Sequence, residues 1–134
     1  MILVDTNVLV DILEDDPEWV QWSLSQLYDQ SKILQPVINP IIYAELSLTF
    51  STYEALDEVI GETHLEIVDI PRPALFLARK AFAQYRRRDG QKQHVLADFF
   101  LGAHAAVSQY PILTRDSRRY RSYFPHRKII EPDR

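Results

Sequence analysis

Four carboxylates stand at chain positions that a strand–helix fold brings together: Asp5, Glu45, Asp98 and Asp116. Asp5 ends the apolar run Ile2-Leu3-Val4, and Asp116 follows Pro111-Ile112-Leu113-Thr114. Asp98 opens the mostly apolar stretch Asp98-Phe99-Phe100-Leu101-Gly102-Ala103, and Glu45 lies inside Ile41-Ile42-Tyr43-Ala44-Glu45-Leu46. Converging on one pocket, each pair of acids would repel by roughly 4 kcal/mol at about 4 Å and an effective dielectric of about 20. They stay ionised together only if a cation joins them or some of them take up protons. A ligand set made only of carboxylates suits Mg²⁺ or Mn²⁺. The chemistry of such a set is metal-dependent chemistry on phosphate.

The elements that would position these acids can be read from the pattern of apolar runs. Short apolar runs alternate with longer amphipathic ones, which predicts an α/β fold with a central, mostly parallel sheet. Strands are expected at 2–5, 33–38, 65–68 and 112–114, with a final edge strand at 128–130. Helices are expected at 7–13, capped by Thr6 or Asn7, and from the Asp15-Asp16-Pro17-Glu18 segment to about residue 30, with Pro17 in the first turn. Asn39-Pro40 opens the helix that carries Glu45. Ser51-Thr52-Tyr53-Glu54 is a capping-box pattern for a helix over 55–60. Pro73 opens a long helix ending near Arg88, residues 89–93 read as a loop, 98–109 as a helix rich in small residues, and 117–124 as a short helix or turn. In open α/β sheets ligands bind outside the carboxyl ends of the strands, at a topological switch point. Asp5 and Asp116 follow strands, Asp98 begins a helix, and Glu45 shares a helical face with Ile41 and Leu48.

Each acid also has a plain structural use. Asp5, Asp98 and Asp116 are all suitable helix N-caps, and Glu45 could pair with an arginine. Four such coincidences at one sheet edge need four causes, whereas a metal site needs one. Glu14, Asp15, Asp16, Glu18, Glu54, Asp57 and Glu58 read as solvated, and Asp11 as an outside candidate for the site. His64, His94, His104 and His126 show no paired spacing and read as structural. Thr6, Asn7 and Thr114 flank the acids and could orient them, or serve as caps. Arg115, Arg118, Arg119 and Arg121 surround Asp116. The first three could contact a phosphodiester backbone. Tyr120, Tyr123 and Phe124 could stack bases, though core packing is the simpler use.

Composition sets outer limits. The 134 residues fit one domain, 1–134, with an ordinary 46% hydrophobic and 25% charged content. There are no cysteines, so a disulfide framework, a thiolate zinc site and a cysteine nucleophile are excluded, in keeping with a cytoplasmic protein. The N-terminus has no basic leader pattern and no stretch is apolar enough to span a membrane. The net charge of −4 hides an asymmetry: residues 1–70 hold fourteen acids and one base, residues 71–134 fourteen bases and five acids. The basic half can supply a nucleic-acid footprint, or can simply be solvated helix faces. No GxGxxG or Walker A pattern is present.

Four segments taken in order resemble a known family. Leu3-Val4-Asp5-Thr6-Asn7-Val8-Leu9, Asn39-Pro40-Ile41-Ile42-Tyr43-Ala44-Glu45, Asp98-Phe99-Phe100-Leu101-Gly102-Ala103-His104-Ala105 and Leu113-Thr114-Arg115-Asp116 are similar to the PIN-domain ribonucleases, specifically the VapC-type toxins of prokaryotic toxin–antitoxin operons. The resemblance implies a three-layer α/β/α sandwich, an acidic quartet at Asp5, Glu45, Asp98 and Asp116 with Thr114 as a supporting hydroxyl, and Mg²⁺- or Mn²⁺-dependent cleavage of RNA. It also implies a homodimer and a cognate VapB-type antitoxin that blocks the site. Ala97 departs from the family, whose members often carry proline there, and reads as a looser helix start.

Two other functions compete with a single-strand-preferring endoribonuclease. A phosphatase with an Asp nucleophile also places Asp after the first strand, but such enzymes want a second acid two residues on, where Asn7 stands. A non-catalytic PIN-like module would bind RNA or protein without cleaving it.

Overall fold

Ile2, Leu3 and Val4 have no exposed surface, and a strand covered on both faces belongs inside a parallel sheet. The computed structural model describes residues 1–88, 95–125 and 128–133. Among these, the order is β1 (Ile2–Val4), α1 (Thr6–Leu13), α2 (Val20–Ser31), β2 (Pro36–Ile38), α3 (Pro40–Leu46), a 3₁₀ turn (Ser47–Thr49), α4 (Tyr53–Glu62) and β3 (Glu66–Ile67). There follow α5 (Arg72–Arg88), α6 (Leu96–Ser108), β4 (Ile112–Leu113), α7 (Arg118–Tyr123) and β5 (Ile129–Ile130). The strands lie in the order β3-β2-β1-β4-β5, and all four pairings are parallel. Leu3 stands opposite Val37 on one side and Ile112 on the other. The expected three-layer α/β/α sandwich is present, with a wholly parallel five-stranded sheet. No helix among the described residues is long and apolar enough to cross a membrane.

Two apolar clusters hold the layers. One joins the sheet to α1, α3 and α4 through Val8, Leu9, Ile42, Leu46, Leu56 and Ile60. The other joins α5, α6 and α7 through Phe82, Tyr85, Phe99 and Phe124, whose rings meet edge-on and tilted. Gly102 lets Phe124 lie on α6, because a Cβ at that position would fall 2.3 Å from the Phe124 ring.

Local chemistry moves several expected boundaries. The N-cap of α1 is Asp5, so neither Thr6 nor Asn7 is the cap. Pro17 does not open α2. The Asp16 carboxylate instead accepts the N–H groups of Glu18 and Trp19 at 2.9 Å and holds a turn, and the helix starts at Val20. The cap of α4 is Thr52, which accepts from the Ala55 N–H at 3.2 Å, one place beyond the Ser51 that the capping-box spacing pointed to. Asn39 caps α3 as expected, accepting from the N–H groups of Ile41 and Ile42 with Pro40 in the first turn. β2 is shorter than its apolar run, starting at Pro36. α6 begins two residues before Asp98. The expected loop at 89–93, and His94 and His126, lie outside the described residues.

From β1 the chain crosses to β2 on one side and later returns to β4 on the other. The carboxyl ends of β1 and β4 therefore flank the switch point of the sheet, the crevice where open α/β folds bind ligands.

Candidate active site

Asp5 leaves β1 directly into that crevice. Its backbone N–H donates to the Leu113 carbonyl at 2.9 Å, which ties it to the end of β4. It occupies the N-cap position of α1, yet its side chain makes no capping bond. The carboxylate turns instead to three neutral donors, all on Oδ2: the Tyr120 hydroxyl at 2.7 Å, the Thr114 hydroxyl at 2.8 Å, and the Asn7 amide, more weakly, at 3.5 Å. Asn7 also donates to the Thr114 Oγ1 at 3.3 Å and accepts from the Arg115 N–H at 3.1 Å. Burial raises the Asp5 pKa, the Tyr120 and Thr114 bonds pull it back, and the charge of Glu45 raises it further. Burial, then the nearby Asp5 charge, raises the Tyr120 pKa well above its usual value, so Tyr120 stays a hydroxyl donor.

Glu45 enters from α3 and pairs with no arginine among the described residues. Its Oε1 accepts from the Thr6 hydroxyl at 2.6 Å. Asp98 lies in the first turn of α6 and feels the whole set. Burial first, then repulsion from Asp5, push its pKa up to about 7; Arg119 opposes this, and Glu45 and Asp116 add to it. That mutual influence places the four acids in one electrostatic neighbourhood. Asp116 is the most open of the three aspartates. It accepts from Arg118 through Nε at 3.0 Å and Nη2 at 2.7 Å, and from the Arg118 N–H at 3.2 Å. The side-chain bond from Arg118 holds its pKa below the usual value. Neither Asp116 nor Asp98 is the N-cap its position allowed: Ser117 stands at the cap of α7 and Val95 at that of α6.

The arginines that follow β4 separate into different uses. Arg118 lies on Asp116, and Arg119 donates to Asp98 at 3.2 Å. Arg115 points away from the crevice: its guanidinium grips Asp11 in two bonds, 2.8 and 2.9 Å, and lies over Trp19. Asp11 is 2% exposed and also accepts from the Ser23 hydroxyl at 2.7 Å. Asp11 thus belongs to a structural cluster and Arg115 is committed to it, contrary to the phosphate contact expected of that arginine. Arg121 pairs with Glu131. His104 is buried, with its Nδ1 3.2 Å from the Asn39 amide, and burial lowers its pKa. His64 follows α4 with a left-handed backbone, φ 57°.

Tyr120 was not singled out by sequence reasoning as a partner of Asp5. Its only signal is its place four residues after Asp116, on the inner face of a short helix.

Every candidate ligand at the crevice is a carboxylate oxygen, the donor set of a hard divalent cation. Burial raises Asp5 and Asp98, at Asp98 in spite of Arg119, and a bound cation would relieve this, so the residues fit such an ion. Among the described residues no three acids or histidines are already arranged to clamp one. Thr6, Arg118 and Arg119 occupy oxygens of Glu45, Asp116 and Asp98.

The sequence pattern of the PIN domain matches residues 2–125. The chain belongs to the PIN-domain family. Members of this family are generally nucleases. Among solved structures the fold is similar to VapBC2 from Rickettsia felis bound to a DNA fragment from its promoter, at TM-score 0.74 and 19% identity, covering 99% of this chain and 100% of that one. It is also similar to VapBC-1 from nontypeable Haemophilus influenzae, at TM-score 0.72 and 15% identity over 98% of both chains. FitAcB from Neisseria gonorrhoeae follows at TM-score 0.67 and 18% identity, covering 97% of this chain and 96% of that one. No curated protein matches the sequence.

Proposed function

We propose that this PIN domain is a divalent-metal-dependent endoribonuclease, the VapC-type toxin of a toxin–antitoxin pair. One observation carries the reading. Carboxylates from four separate elements stand close enough at the sheet's switch point to act on one another: burial first, then repulsion from Asp5 with smaller additions from Glu45 and Asp116, push Asp98 up to about 7 against the pull of Arg119. Asp5, Asp98 and Asp116 would hold Mg²⁺ or Mn²⁺, with Glu45 as a further acid at the same rim. The cation would activate water and neutralise charge that builds on the phosphoryl oxygens. The protein's own residues supply the alignment. Tyr120, Thr114 and Asn7 fix Oδ2 of Asp5 and leave Oδ1 for the pocket, and Thr6 orients Glu45 in the same way. Arg118 and Arg119 lie on the acids at the rim, where a phosphate chain would pass.

Purified protein incubated with mixed single-stranded RNA should cleave it with Mg²⁺ or Mn²⁺, not with chelator, and not as the Asp98→Asn variant. Equal cleavage by Asp98→Asn would remove Asp98 from the mechanism.

An acidic pocket attracts a basic side chain from a partner, which supports a VapB-type antitoxin that blocks the site. A shallow apolar groove lined by the part-exposed Ile12, Leu13, Leu27 and Val59 over the buried Leu9 and Leu56 offers a seat for such a segment. Expressed from its native operon, the protein should co-purify with a small partner, and Val59→Glu should release it. A homodimer, as the resemblance implies, is tested by light scattering on the same sample.

A further inference from the structure

Four arginines follow β4 among the described residues, and one differs from the rest. Arg115, Arg118 and Arg121 each place two donors on a single carboxylate. Among the described residues Arg119 makes one hydrogen bond, Nη1 to Asp98 Oδ2 at 3.2 Å. Its Nε is buried and has no hydrogen-bond partner among the described residues. The guanidinium carbon lies 5.8 Å from the centre of the Tyr85 ring, on the wall formed by α5, α6 and α7. A buried N–H without a partner costs free energy that a better arrangement would recover. A single long bond to a carboxylate is also the easiest kind to exchange, while a planar fork on an aromatic surface is suited to gripping a phosphate with two donors.

We infer that Arg119 is a resident counter-cation of the pocket that holds Asp98 in the metal-free protein, yields it when a divalent cation binds, and then grips a phosphodiester oxygen of the substrate with the N–H it now leaves unused. The inference rests on the metal-dependent nuclease reading and adds a positioning residue to it. It makes Arg119 a competitor of the cation and an ally of the nucleic acid. A purely structural arginine would move both in the same direction.

The test is a Mn²⁺ titration read by electron paramagnetic resonance, which needs no activity, together with KM for single-stranded RNA at saturating Mn²⁺. Arg119→Gln should bind Mn²⁺ about three- to tenfold more tightly, the scale of losing one part-exposed ion pair, and should raise KM about tenfold. Arg119→Lys keeps the charge and loses the fork. It should return Mn²⁺ affinity to that of the unsubstituted protein while KM stays raised. Arg121→Gln, on the far side of α7, should change neither. Unchanged or weaker Mn²⁺ binding in a folded Arg119→Gln protein would overturn the competition, and an unraised KM in Arg119→Lys would overturn the phosphate grip. If the unsubstituted protein takes up no Mn²⁺, the nuclease reading falls and this inference falls with it.

Discussion

The two sides of the crevice are held by different chemistry. On the β1 side, Asp5 is 6% exposed and locked by the hydroxyls of Tyr120 and Thr114 and the amide of Asn7. On the α7 side, the side chains of Asp98 and Asp116 are 33% and 41% exposed, and each is held by an arginine. Neutral donors fix a carboxylate without cancelling its charge, so they leave its attraction for a cation intact. Arginines cancel the charge and must be displaced before a cation can bind. The crevice therefore has a fixed wall and an adjustable wall. A fourth acid, Asp11, shows what a settled pair looks like: buried, gripped twice by Arg115, and further satisfied by Ser23.

The largest effect should come from breaking the fixed wall at its centre. Asp5→Asn should lower RNA cleavage by about 10²- to 10³-fold, the scale of removing one pre-organised electrostatic contact. The same change removes a buried charge, so the metal-free variant should melt at or above the temperature of the unsubstituted protein. Equal loss of activity and fold would mean that Asp5 is structural. Asp11→Ala should do the opposite. It strands Arg115 and Ser23 and should cost about 2–3 kcal/mol in chemical denaturation, less than a fully buried pair because Arg115 is part-exposed. Its Mn²⁺ affinity should be unchanged.

Tyr120→Phe removes one donor from Asp5 without changing the packing of α7. Cleavage should fall about tenfold and stability by about 1–1.5 kcal/mol, the scale of one buried side-chain hydrogen bond. A Tyr120→Phe protein of full activity would show that the fixed wall is not needed for the chemistry.

The smallest effect is a pH dependence. Asp98 has a folded-state pKa raised from 3.8 to about 7. Below the unfolded value both states hold the proton; between the two values only the folded state does. The metal-free protein should therefore lose stability as pH rises through that window, and stay lower above it. The lowered pKa of Asp116 acts with the opposite sign and in a separate range, its contribution being lost as pH falls below the usual carboxylate value. In chelator the melting temperature should drop by a few degrees between about pH 5 and about pH 8, and Mn²⁺ should abolish the drop by taking the place of the proton. A melting temperature that rises over that interval in chelator would contradict this assignment.

The placing of the strand-end acids was legible in the sequence. An acid directly after an apolar run must sit at a strand's carboxyl end, and Asp5 and Asp116 do. Asn39-Pro40 announced α3, since an Asn cap and a first-turn proline are local signals that tertiary packing did not override. The adjustable wall was less legible because arginine pairing depends on rotamers of long side chains, which spacing does not set. Arg115 and Arg118 flank Asp116 in sequence, yet one turns to α1 and the other onto its own carboxylate. Asp16 misled for a related reason: its side chain can bond the next N–H groups in a turn as easily as in a cap, so α2 starts later than its proline implied. Tyr120 reaches Asp5 across more than a hundred residues of chain, a contact that exists only once β1 and β4 have paired.

The arrangement of the two walls is tested most directly by a crystal grown with Mn²⁺ and read by the ion's anomalous signal. Anomalous density in the crevice beside Asp5 and Asp98, with Arg119 moved off Asp98 and Tyr120 still on Asp5, is the expected result. A saturated crystal with no ion between those two carboxylates, or an ion bound while Arg119 remains on Asp98, would contradict it.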